Sequence, residues 1–181
     1  MSYLFILIGA SGVGKTTLAK AVVEVSNNLV MPLGVTTRAP REFEEDGVDY
    51  RFISSNLFQV WKERNYFIET TIYRDKHYGL LKSDIIETLN KGFDVLTILT
   101  NEGLAEFERL FHKQIIPIFI APPSTDVLQQ RREQRRGKHV LIPDEDIYGM
   151  KRAYQFKIVN DNLKHAVEQI RLITTIVKQK E

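Results

Sequence analysis

A chain of 181 residues is long enough to bury the core of one domain. Its 25 lysines and arginines exceed its 23 aspartates and glutamates by only two, which is too small an excess to indicate a nucleic-acid partner. The absence of cysteine excludes disulfides and thiolate metal sites. The apolar run at residues 3–8 is too short for a membrane span or a secretory signal, so we expect a cytoplasmic protein without a membrane partner.

The first predicted element is a strand at residues 3–8, which is apolar without alternation, as in a strand buried on both faces. A helix is predicted over 15–25, where Leu18, Val22 and Val25 recur at helical spacing. The residues between them, GASGVGKT at 9–16, fit the P-loop pattern, in which a glycine-rich turn wraps a phosphate. The alternative is a tight glycine turn with an incidental lysine. The position after a buried strand and before a helix favours the phosphate loop.

A P-loop at this point predicts a site for a nucleoside triphosphate. The helix N-terminus adds a partial positive charge, Lys15 is expected to reach the β- and γ-phosphates, and the Thr16 hydroxyl is expected to ligate Mg²⁺. The residues that we expect to bind ATP here are Gly9, Ala10, Ser11, Gly12, Val13, Gly14, Lys15, Thr16 and Thr17.

The next segments predict extended chain over 29–37, a short strand over 50–53, a helix over 57–64 capped by Ser54 or Ser55, and a strand over 68–73. A charged loop at 38–48 carries Arg38 and Arg41, and tyrosines follow at positions 50 and 78. Two guanidinium forks and two hydroxyls suit a phosphate. Taken alone, such a set is more often a solvated loop with tyrosine rings packed below it.

The remaining elements continue the alternation of strands and helices, which implies a parallel sheet with helices on both faces, an α/β fold. The predicted strands are 93–99, 115–120 and 157–159. The predicted helices are 83–90, 104–111, 125–135, 144–155 and 163–178.

The helix at 125–135 ends in a strongly basic stretch. Residues 131–139 hold five lysines and arginines against one glutamate. A helix with these arginines is suited to close over ATP and neutralise the transferring phosphoryl group; the alternative is a solvated basic helix. The arginines of the helix are Arg131, Arg132, Arg135 and Arg136.

The chain resembles the guanylate kinase family over nearly its whole length. The segments that carry the resemblance, in order after the P-loop, are TTRAPR, DGVDYRF, FIE, HYG, IFIAPPS and IVNDNL. The resemblance implies a single domain with a P-loop NTPase-type core (1–33, 81–123 and 156–181), a small acceptor-binding subdomain (34–80) and a helical lid (124–155). It also implies ATP-dependent phosphorylation of GMP with Mg²⁺, with ATP and GMP as the binding partners, in a monomer or homodimer.

The resemblance further implies the roles of individual residues. The acceptor phosphate is expected to bind Arg38, Arg41, Tyr50 and Tyr78 beside Gly79, and the guanine ring to bind Glu69. Lys15, Arg131, Arg135, Arg136 and Arg152 are implied to act in catalysis, and Asn160 to contribute to the ATP site.

Several positions depart from the family pattern. Gly34 and Val35 replace a serine pair, Leu80 replaces a serine or threonine, and the strand before NEG carries Thr97 and Thr100 in place of two aspartates. We therefore expect weakened discrimination of guanine, with Glu102 as a candidate substitute carboxylate. Two alternatives stay open: a kinase of the same fold acting on ribose 1,5-bisphosphate or a related phosphosugar, and a non-catalytic binding module.

Overall fold

The computed structural model describes residues 1–73, 75–136 and 154–179. The strands in these ranges are β1 (Leu4–Ile8), β2 (Leu29–Val30), β3 (Val35–Thr36), β4 (Arg51–Phe52), β5 (Phe67–Tyr73), β6 (Lys76–Leu81), β7 (Asp94–Ile98), β8 (Ile115–Ala121) and β9 (Phe156–Val159). The helices are α1 (Lys15–Glu24), α2 (Ser55–Glu63), α3 (Lys82–Asn90), α4 (Asn101–Phe111), α5 (Thr125–Arg136) and α6 (Leu163–Lys178), with a 3-10 turn at His112–Gln114.

The central sheet is parallel and runs in the order β2-β7-β1-β8-β9. Its middle strand β1 is buried along its whole length, and alternate side chains enter two apolar clusters. Phe5 and Leu7 join the cluster that holds residues of α1 and α6, whereas Leu4 and Ile6 join the cluster that holds residues of α3 and α4. Helices therefore cover both faces, which confirms the predicted α/β fold.

A second sheet, in the order β4-β3-β6-β5, joins the edge of this core through Ile68 and Leu80. Its strands β3 and β4 are parallel, whereas β6 pairs antiparallel with β3 and β5. Phe58 of α2 stacks on Phe67 of β5 with ring centroids 4.4 Å apart. Together with Val35 these rings form a separate small cluster, so the sheet has its own core.

Most predicted elements are confirmed within a few residues. The predicted extended stretch 29–37 is two short strands that belong to different sheets. The helix predicted from 104 begins at Asn101, because the Thr100 hydroxyl caps it by accepting a hydrogen bond from Gly103 N at 3.1 Å. Of the predicted helix 144–155, residues 144–153 lie outside the described chain, and the two that follow are not helical.

One buried carboxylate joins three parts of the core. Asp94 is 3% exposed, its Oδ1 accepts a hydrogen bond from Tyr3 N at 2.9 Å, and its Oδ2 lies 2.5 Å from Lys178 Nζ at the end of α6. The chain start, β7 and the last helix thus meet at one side chain.

We expect Asp94→Ala to lower the free energy of unfolding by about 2–4 kcal/mol, because it leaves a buried N–H without an acceptor and removes a charge-assisted bond. Urea denaturation at neutral pH measures the loss. The matched control is Glu87→Ala, which removes the exposed ion pair of Glu87 with Lys91 and should change the free energy of unfolding far less. Similar losses in the two variants would contradict a special role for Asp94.

Candidate active site

The loop between β1 and α1 lies at the carboxyl end of the central strand, where parallel α/β sheets bind ligands. Its path requires glycine at two close approaches. A Cβ on Gly9 would lie 2.3 Å from Ile120 O, and a Cβ on Gly14 would lie 2.5 Å from Asn160 Nδ2. Both residues also have positive φ angles, of 148° and 101°. The glycines of the predicted phosphate loop are thus needed for its shape.

Side chains from outside the loop hold its carbonyl groups. Arg132 Nε donates to Ser11 O at 2.6 Å, and Asn160 Nδ2 donates to Val13 O at 2.8 Å. In a trans peptide the C=O and the following N–H point in opposite directions. The N–H groups of Gly12 and Gly14 therefore point away from these bonds, as an anion-binding loop requires.

Lys15 lies at the start of α1 and folds back over the loop. Its Nζ donates to Gly9 O at 2.5 Å and to Ala10 O at 3.1 Å. Thr16 and Thr17 follow in the first turn of α1 with exposed side chains. The lysine and the two hydroxyl groups that were predicted to bind ATP therefore lie at the same loop. The Lys15 side chain does not belong to the apolar core.

A cavity of about 450 Å³ opens beside the loop, within the size range of small-ligand sites. Arg131 enters its wall, with Nη1 donating to Val13 O at 3.4 Å and Nη2 to Asn160 O at 3.2 Å. The cavity is lined by Gly12, Gly14, Thr17, Arg131, Gln134, Asn160, Asp161 and Leu163.

The second sheet brings three of the four predicted phosphate-binding side chains together. The Arg38 guanidinium lies 5.1 Å from the centroid of the Tyr50 ring, and the Tyr50 and Tyr78 rings meet edge to face at 6.2 Å. Arg41, the fourth, lies beside them with 78% of its side chain exposed, and its Nη1 is 3.8 Å from Glu44 Oε1.

Glu44 occupies the Arg38 fork. Its two oxygens accept hydrogen bonds from Arg38 Nη1 at 2.5 Å and Nη2 at 2.7 Å. The hydrogen bond from Arg38 lowers the pKa of Glu44, and the same bond raises the pKa of Arg38. A bidentate carboxylate shows the arrangement that a phosphate would adopt on this fork. Burial raises the pKa of Tyr50, so its hydroxyl stays a neutral donor at pH 7.

Glu69 lies on β5, where the second sheet meets α4. A Cβ on Gly103, in the first turn of α4, would lie 2.6 Å from both Cδ and Oε1 of Glu69, so a larger residue at 103 would displace the carboxyl group from this position. Burial, with the nearby Glu102 carboxylate, raises the pKa of Glu69 to about 7. The Glu69 carboxyl group is thus partly desolvated, and few protein groups compete with a ligand for hydrogen bonds to its oxygens.

The positions that depart from the family pattern have structural roles. Leu80 is 9% exposed and belongs to the cluster beneath α3 and α4, and Thr100 caps α4. Thr97 is buried in β7. A Cβ on Gly34 would lie 2.9 Å from Tyr50 Cε1, so a side chain there would require the ring to shift. Gly79, which keeps the family pattern, has a similar close approach, because its Cβ would lie 2.6 Å from Phe67 Cδ1.

Three predicted catalytic arginines cannot be placed. Arg152 and the side chains of Arg135 and Arg136 lie outside the part of the chain that the structure describes. No group of three or more histidine or acidic residues that could hold a metal occurs among the described residues. No described helix has the length and hydropathy needed to cross a membrane.

Comparison with known proteins identifies the family. The family model described as guanylate kinase matches residues 1–176. The chain belongs to the guanylate kinase family. The guanylate kinase of Rickettsia prowazekii is 32% identical over 184 residues, covering 98% of this chain and 92% of that protein. That of Wolbachia sp. subsp. Brugia malayi is 31% identical over 176 residues, covering 94% and 90%. The crystal structure of guanylate kinase from Anaplasma phagocytophilum matches with a TM-score of 0.75 and 26% identity, over 95% of this chain and 83% of that chain.

Membership of the guanylate kinase family makes the chain a phosphotransferase. The comparisons give no support to the phosphosugar kinase or to the non-catalytic module. Sequence reasoning missed two residues that shape the site, Glu44 on the Arg38 fork and Gly103 beneath Glu69. It named Arg132 as an arginine of the predicted lid helix but did not predict that this side chain is buried. Glu44 is one of three acids within EFEE, so spacing alone could not single it out.

Proposed function

We propose that the protein transfers the γ-phosphoryl group of ATP to GMP, giving ADP and GDP. The observation that carries this proposal is that one molecule holds two separate groups of residues suited to bind anions. One is the phosphate loop with Lys15 at its mouth. The other is the cluster of Arg38, Tyr50 and Tyr78, with the Glu69 carboxyl group on a neighbouring strand. The contacts of the described residues and the family membership support it.

On the donor side, the N–H groups of the loop and the Lys15 ammonium are proposed to bind the β- and γ-phosphates. Lys15 must then leave Gly9 O and Ala10 O, which it contacts here. Arg131 and Asn160 form the wall beside the nucleoside. The cavity next to the loop is large enough for that part of ATP.

On the acceptor side, the GMP phosphate is proposed to replace Glu44 on the Arg38 fork and to receive hydrogen bonds from Tyr50 and Tyr78. Glu69 is proposed to accept hydrogen bonds from N1–H and the 2-amino group of guanine, which adenine does not offer. This needs the ionised carboxylate, and the pKa of Glu69 near 7 makes that form available at and above neutral pH.

Transfer occurs between a phosphate oxygen of GMP and the γ-phosphorus of ATP. The O–P bond to GMP forms as the bond to the ADP oxygen breaks, so neither a covalent intermediate nor a general base is needed. Positioning of the two anions and neutralisation of their charge supply the rate enhancement. Four arginines of the proposed lid, residues 124–155, are assigned to that neutralisation: Arg131, Arg135, Arg136 and Arg152.

The proposed Mg²⁺ site fits the residues present. The Thr16 hydroxyl, exposed in the first turn of α1, is an oxygen donor next to the phosphate loop. Magnesium prefers oxygen ligands and keeps several waters or phosphate oxygens, so one protein hydroxyl is sufficient. The ion would supply charge neutralisation at the β- and γ-phosphates.

For a nucleotide kinase of this kind we propose a cytoplasmic location. We also propose that residues 34–80 form the acceptor-binding subdomain.

A coupled assay of ADP release tests the proposal. The acceptors are GMP, AMP, CMP, UMP and ribose 1,5-bisphosphate, each with ATP and Mg²⁺. We expect turnover with GMP to exceed turnover with every other acceptor. A higher kcat/KM for the sugar bisphosphate would replace GMP as the substrate, and no turnover with any acceptor would favour a binding module.

Replacing Arg38 by alanine should raise the KM for GMP roughly tenfold to hundredfold, the loss expected for a charge-assisted bond to phosphate. The KM for ATP should stay within about twofold, because Arg38 lies in the loop after β3, against Tyr50 and Phe52, and not among the residues that line the cavity beside the phosphate loop. Initial rates with each substrate varied separately measure both constants. Arg64→Ala, at the exposed end of α2, is the matched control. An equal rise in both KM values would place Arg38 in the donor site.

A further inference from the structure

Arg132 is a buried cation to which the proposed function assigns no task. It is 4% exposed, although arginine is rarely buried to this extent. Its side chain crosses the outside of the phosphate loop. Nε donates to Ser11 O at 2.6 Å, and Cγ lies 2.9 Å from the point where a Cβ on Gly12 would be. The arginine therefore touches the two residues at the tip of the loop.

Packing alone does not account for a charged group at this position. Leu128, one turn earlier on α5, belongs to the apolar core, and an apolar residue at position 132 would extend that surface without the cost of desolvating a guanidinium. The hydrogen bond from Nε to Ser11 O is one contribution that an apolar residue could not make. A positive charge behind the loop also raises the electrostatic potential at the point where phosphates would bind.

The bond fixes the orientation of one peptide unit. Because Ser11 O points toward Arg132, the N–H of Gly12 on the same peptide points the other way, into the loop. Gly12 has a φ angle of 90°, in the region that glycine enters without strain, and such a peptide is free to flip unless something holds it. Arg132 holds it.

Arg131, the preceding residue, performs the corresponding task at Val13. It donates to Val13 O at 3.4 Å, so consecutive arginines of α5 contact alternate carbonyls of the loop. The helix thereby grips the phosphate loop from outside at two points. The basic stretch of α5 thus donates hydrogen bonds to the phosphate loop and also lines the cavity beside it.

We propose that Arg132 is a positioning residue of the phosphate loop, which holds the Ser11–Gly12 peptide with its N–H directed at the nucleotide phosphates. This inference rests on the proposed donor site. It predicts that loss of the guanidinium weakens the binding of a nucleoside diphosphate and leaves the binding of GMP at the acceptor site intact.

The test is titration calorimetry of ADP and GMP with the full chain and with Arg132→Met, Arg132→Lys and Arg109→Met. Arg109 is an exposed arginine on α4 and serves as the matched control. We expect Arg132→Met to weaken ADP binding roughly tenfold or more, with GMP affinity within about twofold of the unmodified protein. Arg132→Lys keeps the charge without the planar guanidinium. Its ADP affinity should lie between that of Arg132→Met and that of the unmodified protein.

A second variant separates positioning from general damage to the fold. Arg132→Ala leaves a cavity the size of the lost side chain, and millimolar guanidinium should restore part of its ADP affinity, whereas the same concentration of sodium should not. Unchanged ADP affinity in Arg132→Met would overturn the inference, and so would equal losses for ADP and GMP. Absence of ADP binding in the unmodified protein would instead refute the proposed donor site.

Discussion

Replacing Lys15 by methionine is expected to lower kcat by about 10²–10³-fold or more, the range measured when one preorganised donor to a developing charge is removed. Lys15 Nζ donates hydrogen bonds to Gly9 O and Ala10 O of the phosphate loop. Methionine has a similar length and no charge, so the loop loses its cation without a large change in volume. Steady-state ADP release with saturating GMP measures the effect.

The fold of this variant should survive, because the Lys15 side chain lies outside the apolar clusters of the core. Circular dichroism and the urea midpoint check this point. Lys62→Met, on the exposed side of α2, is the control for loss of a lysine as such and should keep normal kcat. Retention of more than a few per cent of activity by the Lys15 variant would remove Lys15 from the proposed transfer step.

The donor loop could be predicted from the sequence because its chemistry is local. Eight consecutive residues fix the turn, the helix start and the lysine, and the strand before them is recognisable from its unbroken apolar run. The parallel core was predictable for a similar reason, since each strand and helix has its own periodicity. These features need no knowledge of distant contacts.

The second sheet was harder to predict because its parts depend on each other. Strand β6 was missed: residues 76–81 contain a histidine, a tyrosine and a glycine, and the two residues before them lack the Asn-Gly or Asp-Gly signal of a tight hairpin. Pairing with β3 and β5 on both sides makes the segment a strand.

The departures from the family pattern show the same limit. In the sequence, Leu80 and Thr100 stand where the family pattern has other polar or charged residues. In the structure, Leu80 packs in the core and Thr100 caps α4. Gly34 faces the Tyr50 ring so closely that a Cβ would require the ring to shift. Restoring serine at position 34 would therefore disturb the phosphate cluster, and the selectivity for guanine depends chiefly on Glu69 in the proposed site.

Glu69→Gln should lower kcat/KM for GMP by about a hundredfold or more, because an amide cannot accept both guanine hydrogen bonds without turning its NH₂ group toward one of the donors. The KM for ATP should be unaffected. The same change should stabilise the protein in the absence of ligand at pH 8. The free energy of unfolding and the kinetic constants are thus expected to change in opposite senses, which simple damage to the fold does not produce.

The direction of the stability change follows from the raised pKa. The folded protein holds the Glu69 proton up to about pH 7, whereas the usual pKa of a glutamate carboxyl group is 4.5. The contribution of this carboxyl to stability is therefore complete below pH 4.5 and is lost as the pH rises through 7. A shift of this size corresponds to at most about 3–4 kcal/mol, less the part that solvent screens at this partly exposed group. Glutamine does not ionise, so Glu69→Gln removes the cost of ionising a desolvated carboxyl group. The free energies of unfolding of the two proteins, from urea denaturation at pH 5 and pH 8, measure that cost.

The pH profile of kcat/KM for GMP separates Glu69 from the phosphate of the substrate. Both groups ionise near neutral pH, since the second pKa of a phosphate monoester is about 6, but only the contribution of Glu69 disappears in Glu69→Gln. The ratio of the two profiles should rise with a midpoint near 7, the pKa of the free enzyme. Glu102→Gln should move that midpoint to lower pH, because the Glu102 carboxylate helps to raise the pKa of Glu69. Profiles of identical shape for the unmodified protein and Glu69→Gln would mean that another group recognises guanine.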